Sequence, residues 1–262
     1  AMRAIASGRR RPPARSRARV TVALVCAALA SGWVVAAPTA SAVPACAAGA
    51  MAVVAHEDDD TIFLNPDILR DIQAGRCVRT VYTTAGDAGG ENWPGRELGA
   101  EAAYAQMAGV ANQWTTSDAD VAGHPIRLRT LVAAPHISLV FLRLPDGLND
   151  GSGSTRFGNQ SIQRLRDGAL AAIDAIDGST TYTRAQLTAS LAALMAGFTP
   201  TTVRTQDYLF GAGDNSDHVT TGLFVADADP AYSSPHTLTF YLGYGTHDRP
   251  QNLFGDDLTE KQ

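Results

Sequence analysis

In Met51-Ala52-Val53-Val54-Ala55-His56-Glu57-Asp58-Asp59-Asp60 a short apolar run stops abruptly at a histidine followed by four acids. A run of small and β-branched residues bounded by polar ones predicts a buried strand, and Ile62, Phe63, Leu64, Ile68, Leu69 and Ile72 after it predict a helix. The acids then occupy a strand-to-helix loop, the edge at which open parallel α/β sheets bind ligands, close to a helix N-terminus that favours negative charge. Four acids beside one histidine repel one another unless a cation is present. Imidazole and carboxylate are ordinary zinc ligands, and a neighbouring carboxylate that does not ligate is placed to act as a base. The alternative is a solvated acidic helix start, whose aspartates only cap the helix and complement its dipole.

Outward from this stretch, strand and helix patterns alternate. Cys77 to Thr84 predicts a second strand, ending in the flexible loop Ala85-Gly86-Asp87-Ala88-Gly89-Gly90. Pro94 to Ala111 predicts a helix with Leu98, Ala102, Ala105 and Ala108 on one face. Ile126–Val132 and His136–Leu144 predict strands, the second leading into the turn-rich loop Leu144-Pro145-Asp146-Gly147. Helices are expected over Asn159–Ile176 and Thr183–Met195, and strands over Phe198–Thr205 and His236–Gly243. The final residues, Gly255 to Gln262, read as a helix beginning, so the domain reads as cut short there.

The N-terminal stretch carries seven arginines and no acid, then an apolar run from Val20 to Ala37 and Ser41-Ala42 after small residues. This is the layout of a secretory signal peptide over residues 1–42, with residues 43–262 as the mature domain. A retained membrane anchor is the alternative for a run of this length. Taking seven arginines from a net charge of −5 leaves −12, which suits neither nucleic acid nor an anionic membrane surface. Export also permits disulfides: Cys46 and Cys77 each precede a predicted strand, and pairing them closes a loop of about 30 residues, worth roughly 3–4 kcal/mol. Two free thiols are the alternative.

His56-Glu57-Asp58-Asp59-Asp60 after a hydrophobic strand resembles the His-Pro-Asp-Asp-Glu signature of the PIG-L or LmbE-like family of zinc-dependent N-acetylglucosaminyl de-N-acetylases. Asn215-Ser216-Asp217-His218 resembles the family's second motif, His-x-Asp-His, in the correct order and spacing. The resemblance covers the chain from about Ala50 onward. It implies an α/β fold, a Rossmann-like three-layer sandwich with a mostly parallel sheet. It also implies one Zn²⁺, or another divalent metal, held by His56, Asp59 and His218, with Asp58 as general base. Arg96 is the closest match to a substrate-contacting arginine, and Leu144-Pro145-Asp146-Gly147 is similar to a loop of secreted members. Asp87, Trp93 and Asp146 are further candidates for holding a sugar; a turn-forming role for Asp146, a core role for Trp93 and a solvated role for Arg96 are the alternatives.

Asn215 departs from the pattern, because the family has a histidine there that assists the intermediate or the leaving amine. An asparagine donates a hydrogen bond but delivers no proton. His124, His136, His236 and His247 read as surface or packing residues. The implied activity is removal of an N-acetyl or other N-acyl group from a glucosamine-type sugar on an extracytoplasmic glycoconjugate or secreted metabolite. The substrate would be a small molecule or glycan, with no nucleic acid and no stable membrane association. A carbohydrate-binding protein on a weakened enzyme scaffold is the alternative from another class, and an amidase acting on peptides is a third.

Overall fold

The structure, a computed structural model, describes residues 49–210 and 213–261. The signal peptide expected over residues 1–42 and Cys46, one half of the expected disulfide, lie outside the described residues. The chain runs β1 (Gly49–Val54), a π-helical turn (Asp60–Leu64), α1 (Asp67–Gln73), β2 (Val78–Thr84) and α2 (Trp93–Met107). Three strands follow, β3 (Trp114–Val121), β4 (His124–Leu131) and β5 (Ile137–Leu144), and then α3 (Ile162–Arg166) and a small hairpin of β6 (Ile173–Asp174) and β7 (Thr181–Tyr182). The last part comprises α4 (Arg184–Phe198), β8 (Pro200–Gln206), α5 (Ser216–Ala228), β9 (Thr237–Tyr241) and α6 (Asp256–Lys261).

Seven strands form one sheet in the order β3-β4-β5-β2-β1-β8-β9. β1, β2, β5, β8 and β9 are parallel, with Val53 opposite Val81 and Met51 opposite Val203, while β3 and β4 run antiparallel at one edge. All six residues of β1 are buried because helices cover both faces of the sheet. Met51 and Val53 join Leu187, Leu191, Met195 and Phe224 on the α4 and α5 side. Ala52 and Val54 join Leu64, Ile68, Ala100 and Tyr104 on the α1 and α2 side. This is the expected three-layer α/β sandwich, with β1 at its centre.

Three local expectations change. The helix expected through Ile72 is divided, because Pro66 has no N–H to donate and the chain restarts as α1 at Asp67. Asn159–Ile176 is not one helix. Only Ile162–Arg166 is helical; Gly168 takes the left-handed backbone at φ +78°, and Ile173 and Asp174 then pair with Tyr182 and Thr181. β3 escaped the sequence reading altogether. It is a polar edge strand, and its turn to β4 uses positive φ at Ala122 and Gly123, which suits the twist of a tight hairpin.

Two buried ionic groups tie the layers together. Asp71 of α1, fully buried, accepts from Arg204 of β8 at 2.5 Å and from Arg76. Asp60, also fully buried, accepts from the hydroxyls of Tyr82 at 2.8 Å and Tyr104 at 2.6 Å. Burial pushes the Asp60 carboxyl up to about 6, the two phenols working against that rise. Arg204→Ala should cost about 3 kcal/mol, the lower end of the range for stripping a buried charge of its partner because Arg76 remains. Tyr104→Phe should cost about 1–3 kcal/mol by leaving Asp60 short of a donor. Both are read from the shift in urea unfolding midpoint.

Candidate active site

The sheet order reverses beside β1, with β2 on one side and β8 on the other, and the site forms at the C-terminal ends of these strands. β1 ends where the Ala55 N–H donates to Gln206 Oε1 at 2.9 Å. A tight turn follows. The His56 N–H donates to Asp59 Oδ2 at 2.7 Å and the Asp59 N–H to the His56 carbonyl at 3.3 Å, folding Asp59 back onto the histidine. The turn buries Glu57 and leaves Asp58 half exposed.

Asp59 lies between two imidazoles. Its Oδ2 is 3.2 Å from His56 Nδ1 and its Oδ1 is 3.0 Å from His218 Nε2, His218 standing in the first turn of α5. The two rings are 5.3 Å apart. These three residues, all buried, offer ligand atoms close enough together to hold a metal ion. His218 Nε2 is buried against Asp59 Oδ1 and meets no further partner, an environment compatible with a metal ligand. Two imidazole nitrogens and a carboxylate are an ordinary catalytic zinc set.

The protonation of the cluster follows from its packing. Burial works against the charged form of His218, but Asp214 and Asp59 outweigh it and raise the imidazole to about 9. Burial likewise opposes charge on His56, yet Asp217 and Asp59 push it well above its ordinary value. Burial would raise Asp59, but hydrogen bonds from His218 and His56 hold it far below the usual carboxylate range. Protons on the imidazoles thus compensate the acids, and a bound cation would displace them.

Each histidine's other nitrogen faces a carboxylate, the arrangement that fixes tautomer and ring orientation in metal sites. His56 Nε2 lies 3.4 Å from Asp217 Oδ2 and 3.6 Å from Asp146 Oδ2; His218 Nδ1 lies 3.0 Å from Asp214 Oδ1. Asp146, a candidate for holding substrate or for forming the turn, faces His56 and closes a local turn by accepting from the Leu148 N–H at 2.7 Å. Nothing in the local sequence pattern assigns a role to Asp214 or Asp217. Asp217 stood inside the second motif, and Asp214 lies one helical turn before His218. Gly147 donates its N–H to Asp217 Oδ2 at 2.8 Å, and a Cβ there would lie 2.5 Å from Asp217 Oδ1, so only glycine permits the approach.

The remaining candidates are placed as follows. Arg96, in the first turn of α2, donates to Glu57 Oε2 at 3.1 Å and to Asp58 Oδ1 at 2.7 Å. Burial pushes Glu57 up to about 8, against the pull of Arg96. Asp87 accepts from the Asp146 N–H at 2.9 Å and the Gly89 N–H at 2.8 Å, bracing the loops after β2 and β5 against each other. Trp93 carries the Arg143 guanidinium 4.9 Å over its ring, and that guanidinium also holds Glu97. Asn215 caps α5: its Oδ1 accepts from the Asp217 N–H at 2.8 Å and its Nδ2 donates to Asn149 Oδ1 at 3.3 Å. His124 meets Thr180 and Tyr182, and His236 meets Asp229, so neither reaches the cluster.

The sequence matches the PIG-L family model, described as GlcNAc-PI de-N-acetylase, over residues 51–228. No curated protein matches. Among solved structures the chain is similar to the conserved protein TT1542 from Thermus thermophilus, at 16% identity and a TM-score of 0.41, covering 79% of this chain and 69% of that one.

Calorimetric titration with Zn²⁺ should show one binding event that releases protons and weakens as the pH falls below about 9, the value to which the metal-free site raises His218, because imidazole must be neutral to ligate. His218→Ala should abolish it. Asp217→Asn and Asp214→Asn should each weaken it roughly 10- to 100-fold.

Proposed function

The chain belongs to the PIG-L family, and on that premise we propose that it is a metal-dependent hydrolase that removes an N-acyl group from a glucosamine-type sugar. The observation that carries this reading is the Asp59 carboxylate held between His56 Nδ1 and His218 Nε2, with the half-exposed Asp58 beside it. These three residues would hold a Zn²⁺ ion, which would supply Lewis-acid activation of water and of the amide carbonyl.

The chain's own residues do the rest. Asp58, the exposed acid next to the ligand cluster, takes the proton from the attacking water. Arg96 holds Asp58 Oδ1 at 2.7 Å and so fixes its orientation. Cleavage of the C–N bond needs a proton at the departing amine nitrogen, and Asp58 returns the one it took. Asn215 cannot deliver that proton, and its side chain is already committed to capping α5 and to Asn149. The same commitment favours the second reading, a sugar-binding protein whose turnover has been weakened. The arginine-rich start, the apolar run and the Ala-x-Ala site support export, and hence an extracytoplasmic glycoconjugate or secreted metabolite as substrate.

Amine release from N-acetylglucosamine and short N-acetylated glycans should require Zn²⁺ and disappear with a chelator. Asp58→Asn should lower kcat by roughly 10²- to 10⁴-fold while leaving Zn²⁺ affinity intact. Zinc binding with no turnover of any glycan by the parent protein or by Asn215→His would reject the hydrolase in favour of the sugar-binding protein.

A further inference from the structure

Trp93, the aromatic residue that the sequence offers as a sugar platform, is occupied by Arg143. Another aromatic residue stands at the metal cluster. Tyr244 lies in the short helical turn Tyr244–Asp248 after β9, beyond the segment that the family model matches. Its ring is 5.3 Å from that of His218, tilted by 33°, and 5.5 Å edge-on from Phe63, which itself meets His218 at 5.6 Å. Its N–H donates to Asp214 Oδ1 at 3.3 Å, the same oxygen that holds His218 Nδ1. The phenol lies within the field of the site: partial burial raises it, and the charges of Asp59 and Asp58 raise it further.

Although it is built against a ligand histidine, Tyr244 remains 57% exposed. It also lines a cleft of about 230 Å³ with Asp214, Leu242, His247 and Asp248. An aromatic ring bordering a cleft that contains carboxylates is the surface a pyranose fits: its C–H face packs on the ring and its hydroxyls donate to the acids.

On the hydrolase reading, we propose that Tyr244 is the platform on which the sugar ring of the substrate stacks, and that it sets specificity for N-acyl sugars over other amides. Asp214 connects the two halves of the device. It orients His218 on the catalytic side and borders the sugar cleft on the other.

The test is equilibrium binding of N-acetylglucosamine and its β-1,4-linked dimer by NMR, alongside initial-rate kinetics, on Zn²⁺-loaded parent, Tyr244→Ala and Tyr244→Phe proteins. Tyr244→Ala should weaken binding and raise KM roughly ten-fold, with kcat changed by less than about two-fold. Tyr244→Phe should stay within about two-fold of the parent, since stacking needs the ring and not the hydroxyl. Unchanged binding in Tyr244→Ala would overturn the platform while leaving the hydrolase reading in place. A loss that tracks loss of Zn²⁺ in a chelator competition would overturn it too, in favour of simple support for His218. Sugar binding that depends on Tyr244 without any turnover supports the platform and rejects the hydrolase. No binding and no turnover of either sugar overturns both.

Discussion

One carboxylate holds the site together. Asp59 bridges His56, at the end of the first strand, and the Nε2 nitrogen of His218, at the start of a helix near the far end of the matched segment. Its ability to reach both depends on the turn in which the His56 N–H and the Asp59 side chain close on each other. That turn in turn needs β1 buried between two helical layers, since a displaced strand end would carry His56 away from α5. The position of this cluster is therefore set by the core, through Met51 and Val53 on one face and Ala52 and Val54 on the other.

The cost of this arrangement is an accumulation of buried acids at one edge of the sheet. Asp59, Asp146, Asp214 and Asp217 each lie within reach of one or both imidazoles, while Glu57 and Asp60 are buried just behind. Each is tolerated by a specific partner rather than by solvent: Arg96 for Glu57, two phenols for Asp60, the Gly147 N–H and the His56 imidazole for Asp217. Buried polar groups without such partners cost free energy. Asp217 Oδ1 nevertheless remains without a hydrogen bond, in a residue that gathers with Asp146 around His56 at metal-ligand spacing.

The loops after β2 and β5 serve this edge jointly. Asp87 and Asp146 brace each other through backbone N–H groups, and Asp146 then faces His56. Asp87 and Asp146, candidates for holding a sugar, thus also brace the loops beside the His56, Asp59 and His218 cluster. Trp93 packs with the Arg143 guanidinium, while Tyr244, in the segment after β9, stands against the His218 ring.

The alternation of strand and helix, the central buried strand and the cluster of His56, Asp59 and His218 are all legible along the chain. They are written in local patterns: an apolar run of strand length, acids at its end, and a motif around a helix start. β3 stayed invisible because a polar edge strand has no hydrophobic alternation, and the helix pattern ran on past Gly168 because apolar residues continue beyond it. Which carboxylate serves which histidine is settled by packing instead. Asp214, Asp217 and Asp146 are all acids in polar loops or helix starts when read along the chain. Their roles follow from distances of 3.0–3.6 Å to imidazole nitrogens, which exist only once β5 and α5 have been brought to the end of β1. Pairing across the sheet is a property of the folded layers, and no spacing along the chain encodes it.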